Sequence, residues 1–325
     1  NGITDIKNKV MRTVRESARV FGEDGLRLLR LARQSGQLGF SPSEETLQGA
    51  KENAALIHDI APERIFTELN AILFADKKYG EKDGAYHALT VLQETGVLKE
   101  ILPELALGDG MPQRADFHKY TVLEHSLRCV LYAAETIRWA ALLHDIGKPF
   151  CMLRDGNFHA HPEEGAKIVD AVLTRLKAPK KLIESTHALI EEHMYDLNGQ
   201  TGERKLRRYL VTNYHLLPDL LALKQADFSA CKDDENTCPT KLRWEGLLQK
   251  MQQEGVPFTL KELDISGKDL LQAGIAEEYI GKVLNGLFLE CANEPKKNKR
   301  EVLLQTAHAV YKNLLLNGKR GGRTD

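Results

Sequence analysis

Eight of the eleven histidines, at 118, 125, 144, 159, 161, 187, 193 and 215, fall within residues 118–215, less than a third of the chain. Imidazole is the commonest metal ligand and titrates near neutrality, so the concentration calls for a chemical reason. Within it stands ALLHDIGKP (141–149), with His144 and Asp145 adjacent at the end of an apolar helix that Gly147 and Pro149 terminate. Adjacent residues point about 100° apart around a helix, so one ion at that edge can meet both side chains. The second carboxylate oxygen can then reach a second ion, and one aspartate bridges two cations. Neighbouring helical segments offer His125 (TVLEHSL), His161 (HAHPEEGA), His193 (EEHMYDL) and Asp227 (KQADFSA) as further ligands. Imidazoles with a few carboxylates suit Mn, Fe, Co, Ni or Zn better than Mg. A lone histidine is ordinarily a hydrogen-bonded core or surface residue; the ordered set reverses that expectation.

The order H…HD…H…H…D resembles the HD superfamily of metal-dependent phosphohydrolases, and HDIGKP is a specific form of its doublet. The resemblance implies His125, His144, Asp145 and Asp227 as core ligands, with His161 and His193 completing a two-metal version. His159 competes with His161, and the Pro/Glu pair and Gly-Ala that follow favour His161. One or two divalent ions would activate water for in-line attack on a phosphate ester. His144 and Asp145 would stand at the centre, with Lys148 lending a positive charge to the phosphate. The plainer expectation for Lys148 is an exposed lysine at a helix end. His118, in FHKYTVLEH, is expected to be an outer or a substrate contact.

A second constellation lies in FGEDGLRLLRLARQSGQLGF (21–40). Glu23 and Arg27 stand at i,i+4 and Asp24 and Arg27 at i,i+3 on one helix face, the arrangement of an ordinary surface ion pair. Asp only accepts hydrogen bonds and Arg only donates. Side by side they match the polarity of cytosine and adenine, whereas guanine and uracil would leave charges unpaired. EDGLRLLR…LGF, followed by APERIFTEL (61–69), resembles the neck of class II tRNA nucleotidyltransferases and bacterial poly(A) polymerases. The resemblance implies that Glu23, Asp24 and Arg27 read an incoming CTP or ATP, and that Glu63, Arg64 and Glu68 stabilise the helical turn beneath. YHALTVLQETGVLKEILPEL is similar to that family's body, and ISGKDLLQAGIAEEYIGKVLNGLF (265–288) resembles its helical tail.

The family's transfer chemistry needs a head domain with a GSxxR loop and a DxD pair for Mg, and neither string occurs in the 325 residues. Nucleotidyl transfer is therefore not expected from this chain alone, and a fragment of a full enzyme is expected ahead of a natural headless relative. The implied partners are a tRNA or other RNA 3′ end, CTP or ATP, and a phosphate ester at the HD site. Two other readings stay open: a stand-alone HD phosphohydrolase acting on nucleotides or cyclic phosphates, and a metal-stabilised RNA-binding module without turnover.

The elements that must position these groups read as helix nearly throughout. Apolar residues recur at three and four positions in 26–33, 63–74, 86–98 and 121–135, and period-two alternation is scarce, so the class is all-α. Punctuation at 103–112, 232–240 and from Gly318 onward divides the chain into a neck and body (1–110), an HD helical bundle (111–232), a helical tail (239–317) and a disordered end (318–325). No repeat of fixed period occurs. With 42% hydrophobic and 28% charged residues the composition is that of a globular chain. The net charge of −1 gives no overall field for nucleic acid, and basic clusters at 177–181, 203–208 and 296–300 read as solvated faces. The five cysteines include no CxxC pair, which argues against a disulfide framework or a thiolate zinc site. With no apolar run of about 18 residues and no signal-peptide core, the expectation is a cytoplasmic protein with no membrane partner.

Overall fold

The computed structural model describes residues 2–320, and over them the chain is all-α apart from one parallel pair of two-residue strands, Val10–Met11 beside Ser41–Pro42. No helix among the described residues is long and apolar enough to cross a membrane. The chain divides into two compact units, Asn1–Tyr195 with Pro218–Cys238, and Asp196–Leu217 with Pro239–Asp325.

In the first unit the Leu26–Leu38 helix buries Leu28, Leu29, Leu31 and Ala32 against the Pro62–Leu73 and Gly84–Glu94 helices, which contribute Leu69, Ile72, Leu89 and Leu92. Burying each of these leucine or isoleucine side chains is worth about 1.5–3 kcal/mol. The helix expected to run through Glu23, Asp24 and Arg27 is in fact two. Ser17–Glu23 ends at Asp24, whose backbone is extended (φ −158°, ψ 106°), and the next helix begins at Leu26. Gly25 makes this break possible, because a Cβ there would stand 2.5 Å from the Leu56 carbonyl oxygen.

The other half of this unit places His125 on Val122–Tyr132, His144 and Asp145 at the end of Arg138–Leu143, His161 at the start of His161–Arg175, His193 at the end of Lys180–Glu192 and Asp227 on Leu217–Lys232. His144 and Asp145 lie just past the end of Arg138–Leu143, in a four-residue junction. Pro149 does not terminate that helix as expected; it sits in the first turn of the next one, Lys148–Asp155, where a missing N–H costs nothing. Gly147 lets the junction press on the following helix, since a Cβ there would meet the His161 carbonyl oxygen at 2.3 Å and the Gly165 nitrogen at 2.7 Å.

The second unit packs Glu203–Thr212, Pro239–Gln253, Glu277–Cys291 and Arg300–Arg320 around Leu206, Leu210, Trp244, Met251, Leu287 and Leu303. Residues 196–217, which the sequence punctuation grouped with the histidine segment, belong here. Arg207 donates to the Ala292 carbonyl at 2.7 Å and pairs with Glu254, and Trp244 donates to Asp196 at 2.8 Å. The end expected to be disordered from Gly318 is helical through Arg320, continuing a leucine-rich helix; 321–325 lie outside the described residues.

Candidate metal centre

Five helix ends or faces of the first unit converge on Asp145, which is 1% exposed. Its Oδ2 lies 3.3 Å from His144 Nε2, 3.6 Å from His125 Nε2 and 2.7 Å from Lys148 Nζ. Its Oδ1 lies 3.3 Å from His161 Nε2 and 3.9 Å from His193 Nε2. Asp227 Oδ1 closes the first group, 3.0 Å from His125 Nε2 and 3.6 Å from His144 Nε2. Within the groups, the Nε2 atoms of His125 and His144 are 3.2 Å apart, as are those of His161 and His193. The sequence-derived set His125, His144, Asp145, His161, His193 and Asp227 is thus brought together in two groups that share one carboxylate.

Local structure aims these rings. His144, His161 and His193 each donate Nδ1–H to the carbonyl three residues earlier, Ala141 at 2.9 Å, Phe158 at 2.7 Å and Ile190 at 2.6 Å. Each therefore turns its Nε2 inward, the orientation that a metal-binding histidine takes from its outer partner. His193 is further held by Lys224, a buried ammonium that donates to the His193 and Tyr195 carbonyls at 2.8 and 2.7 Å.

Electrostatics follow the geometry. Burial alone would push both carboxyls up. His144 and Lys148 beside Asp145, and His125 and His144 beside Asp227, instead hold them well below the ordinary carboxylate range. Burial, reinforced by His161 and His144, holds His193 well below the usual imidazole value. Burial also acts against charge on His144, yet Asp145 holds that ring well above the usual value. The same negative field would meet an entering cation.

Lys148 is not the exposed helix-end residue of the plainer expectation. It is buried, with Nζ 2.7 Å from Asp145 and 2.8 Å from Gln113 Oε1. His159 is exposed and stays out of the cluster. His187 pairs with Asp170 on the surface, and His215 belongs to the second unit. His118 lies against His125, ring centroids 5.0 Å apart, and burial pushes its pKa down to about 4.

Sequence reasoning missed Gln113, Lys224 and two thiols: Cys129, buried beside His144, and Cys231, whose donor lies within 4.8 Å of donors on His118 and His125. Lys224 and Cys231 stand at i−3 and i+4 from Asp227 in KQADFSACK, so helical spacing would have placed both on the face of that helix that carries Asp227. All five cysteines are free thiols.

The charged turn is arranged differently from its expected form. Arg27 Nη1 donates to Glu23 Oε2 at 2.8 Å and to the Val20 carbonyl at 2.7 Å, and Arg15 pairs with Glu23 at 3.0 Å. Asp24 does not pair with Arg27; its Oδ1 accepts the Leu26 N–H at 3.0 Å. Of the second motif only Glu68 braces the Leu26–Leu38 helix, accepting from Arg33 Nε at 2.7 Å with Arg30 at 3.5 Å. Glu63 and Arg64 lie exposed in the first turn of Pro62–Leu73.

An all-helical chain with a buried histidine–aspartate cluster in one unit has the make-up of an HD-type helical protein, and comparison with known proteins narrows the class. Residues 122–227 match the HD domain, and residues 39–107 match the family described as a probable RNA and SrmB-binding site of polymerase A. A CC-adding tRNA nucleotidyltransferase of Thermus thermophilus is 31% identical over 317 residues, 91% of this chain and 68% of that protein. An A-adding tRNA nucleotidyltransferase of Deinococcus radiodurans is 34% identical over 248 residues, 71% of this chain and 54% of that protein. The chain belongs to the tRNA nucleotidyltransferase family. It spans between about half and two thirds of the length of these curated relatives. The fold is that of the Bacillus stearothermophilus CCA-adding enzyme solved in complex with CTP, with a TM-score of 0.62 at 22% identity over 97% of this chain and 69% of that one.

Proposed function

We propose that this chain is the base-reading, RNA-binding and HD portion of an enzyme acting on tRNA 3′ ends, and that its buried cluster is a two-cation phosphohydrolase centre. The carrying observation is the division of Asp145, one oxygen toward His125, His144 and Lys148 and the other toward His161 and His193. The donors fit a divalent cation: three Nε2 atoms are turned inward by backbone acceptors, a cation would displace any proton they carry, and the carboxylates are held ionised. His125, His144, Asp145 and Asp227 would hold one ion, and Asp145, His161 and His193 a second, with Mn, Fe, Co, Ni or Zn suited to this set. Such ions supply Lewis acidity to a phosphoryl oxygen and to the attacking water. The chain's own groups set the rest. Lys148, anchored by Gln113, places an ammonium beside the bridging carboxylate. The Asp227 side chain, 19% exposed, and half-buried His118 mark the side from which a phosphate ester approaches.

In the neck, Glu23, Asp24 and Arg27 would face the base of CTP or ATP at the junction of two helices, the second of which is braced by Glu68 through Arg30 and Arg33. Mg for nucleotidyl transfer would belong to a head domain carrying the DxD pair. The alignment across 317 residues favours this reading over a stand-alone HD hydrolase, whose match would stop near residues 122–227. The test is cation content and turnover of bis(p-nitrophenyl) phosphate by the chain loaded with Mn or Ni, together with binding of tRNA. About two cations per chain with turnover supports the proposal. Cation without turnover leaves the metal-stabilised binding module, and no cation removes the centre altogether.

A further inference from the structure

The four histidines of the cluster are not held alike. His144, His161 and His193 each give their Nδ1–H to the carbonyl three residues back. His125 sits inside a helix, where the corresponding carbonyl, Val122, accepts the Ser126 hydroxyl. His125 is fully buried and its Nδ1 has no partner. A ring that offers Nε2 to a cation carries its proton on Nδ1, and a buried donor without an acceptor costs about 1–3 kcal/mol. Facing it edge-on, with ring planes at 89°, is His118, whose own Nδ1 is also buried and without a partner. The two orphaned nitrogens are complementary once His118 is the acceptor.

His118 is placed by the helix that carries Asp227. The next residue, Lys119, donates its amide to the Cys231 carbonyl at 2.9 Å, one turn beyond Asp227, and Tyr120 bonds Asp233. A shift of that helix would thus move a cluster carboxylate and the His125 neighbour together.

We propose that His118 is a positioning residue of the metal centre: its Nδ1 accepts the His125 Nδ1–H, on a small ring shift or through one water, and so fixes the tautomer that turns Nε2 of His125 inward. This rests on reading the cluster as a metal centre. A competing use of the same groups exists, because His118, His125 and Cys231 also offer three donors within 4.8 Å of one another, a set that a soft cation could take. That use would strip both ring protons from a His125 already bound through Nε2, so the hydrogen bond is the favoured role.

The experiment titrates the full chain with Co²⁺ and compares wild type with His118→Leu, His118→Gln and Cys231→Ala. His118→Leu should weaken cation binding about 10- to 100-fold, the range for loss of an outer partner of a ligating histidine, with its circular dichroism and apo thermal midpoint unchanged. His118→Gln, whose carbonyl oxygen can accept, should recover most of the affinity, and Cys231→Ala should bind like wild type. In the ¹⁵N-histidine spectrum of the Zn²⁺-loaded protein, a protected His125 Nδ1–H should appear in wild type and His118→Gln and vanish in His118→Leu. Wild-type affinity in His118→Leu overturns the proposal. So does a thiolate-to-cobalt band that Cys231→Ala abolishes, which would assign the trio as a cation site. If wild type takes up no cation, the metal reading fails first and this inference with it.

Discussion

The histidine cluster and the charged turn at 23–27 are both dense in polar groups, and they are built on opposite terms. In the cluster, five ring or carboxylate side chains are at most 3% exposed, and well-packed apolar residues in their place would be as stable or more so. Stability does not account for such an arrangement, whereas a cation does. In the turn, Glu23 is surrounded by Arg15, Arg19 and Arg27 at the surface, and Asp24 satisfies a helix N-terminus. Each of those contacts is explained by local structure alone. Burial therefore lets the geometry speak for its own chemistry, while the exposed turn takes its functional meaning from the family to which the chain belongs.

The comparison breaks most sharply at Asp145. Asp145→Ala removes the carboxylate common to both groups and should empty both cation positions and lower phosphodiester turnover by more than about 100-fold, read by elemental analysis and kinetics. Retained cation would mean that the two groups do not share a bridge. A narrower cut separates them: His161→Ala should lose one of two cations and keep the other, and Asp227→Ala should do the same from the opposite side. Equal, complete loss in both variants would indicate a single coupled position.

The convergence of the six side chains was legible because histidine in quantity is chemically conspicuous and because HDIGKP is a specific string. The helices were legible from three-and-four periodicity. Asp24 was misplaced because its helix break depends on Gly25 pressing against the Leu56 carbonyl, a contact between segments some thirty residues apart that no local pattern announces. Lys148 was read both as a charge at the site and, more plainly, as an exposed helix-end lysine, because periodicity cannot tell which side of a helix start meets Gln113 from another loop. Of Glu63, Arg64 and Glu68, expected together beneath the turn, Glu68 reaches the neck helix while Glu63 and Arg64 face outward, because Arg30 and Arg33 lie on a different helix and only tertiary packing brings them to Glu68.

A control for burial without chemistry lies in the same unit. Arg138, 6% exposed, forks onto Asp76 and also donates to the Leu73 carbonyl. Asp76→Asn leaves that guanidinium buried and unmatched, and should cost about 3–5 kcal/mol of stability at pH 7 while leaving cation content unchanged. Burial raises the Asp76 pKa, but the Arg138 hydrogen bonds outweigh it and hold the folded value below 3.8. A depressed folded pKa means that the stabilisation is complete above the unfolded value and is lost as pH falls through the folded one. The gap between wild type and Asp76→Asn should therefore be full at neutral pH and shrink below about pH 4. A gap independent of pH would show that shape, not charge, carries the contact.

The smallest expected change in stability is at Asp24, and it sharpens the comparison from the exposed side. Its Oδ1 holds the Leu26 N–H, a bond that Asn can keep and Ala cannot. Asp24→Ala should cost about 0.5–1 kcal/mol, the ordinary worth of a helix-capping side chain, and Asp24→Asn far less. If the residue only caps the helix, the two variants should rank by stability in every assay. If it also reads the base, Asn fails where Ala fails, because its amide adds a donor where only acceptors match the amino group of cytosine or adenine. Within a longer protein that carries the transferring head, Asp24→Asn should then lose selectivity for CTP and ATP over GTP and UTP by roughly tenfold to a hundredfold, the effect of leaving one closed-pocket group unpaired. The measurement is kcat/KM for the four nucleotides beside the thermal midpoint of each variant. Preserved nucleotide ratios in Asp24→Asn, with a lowered midpoint in Asp24→Ala alone, would reduce Asp24 to a cap and leave the base to be read elsewhere.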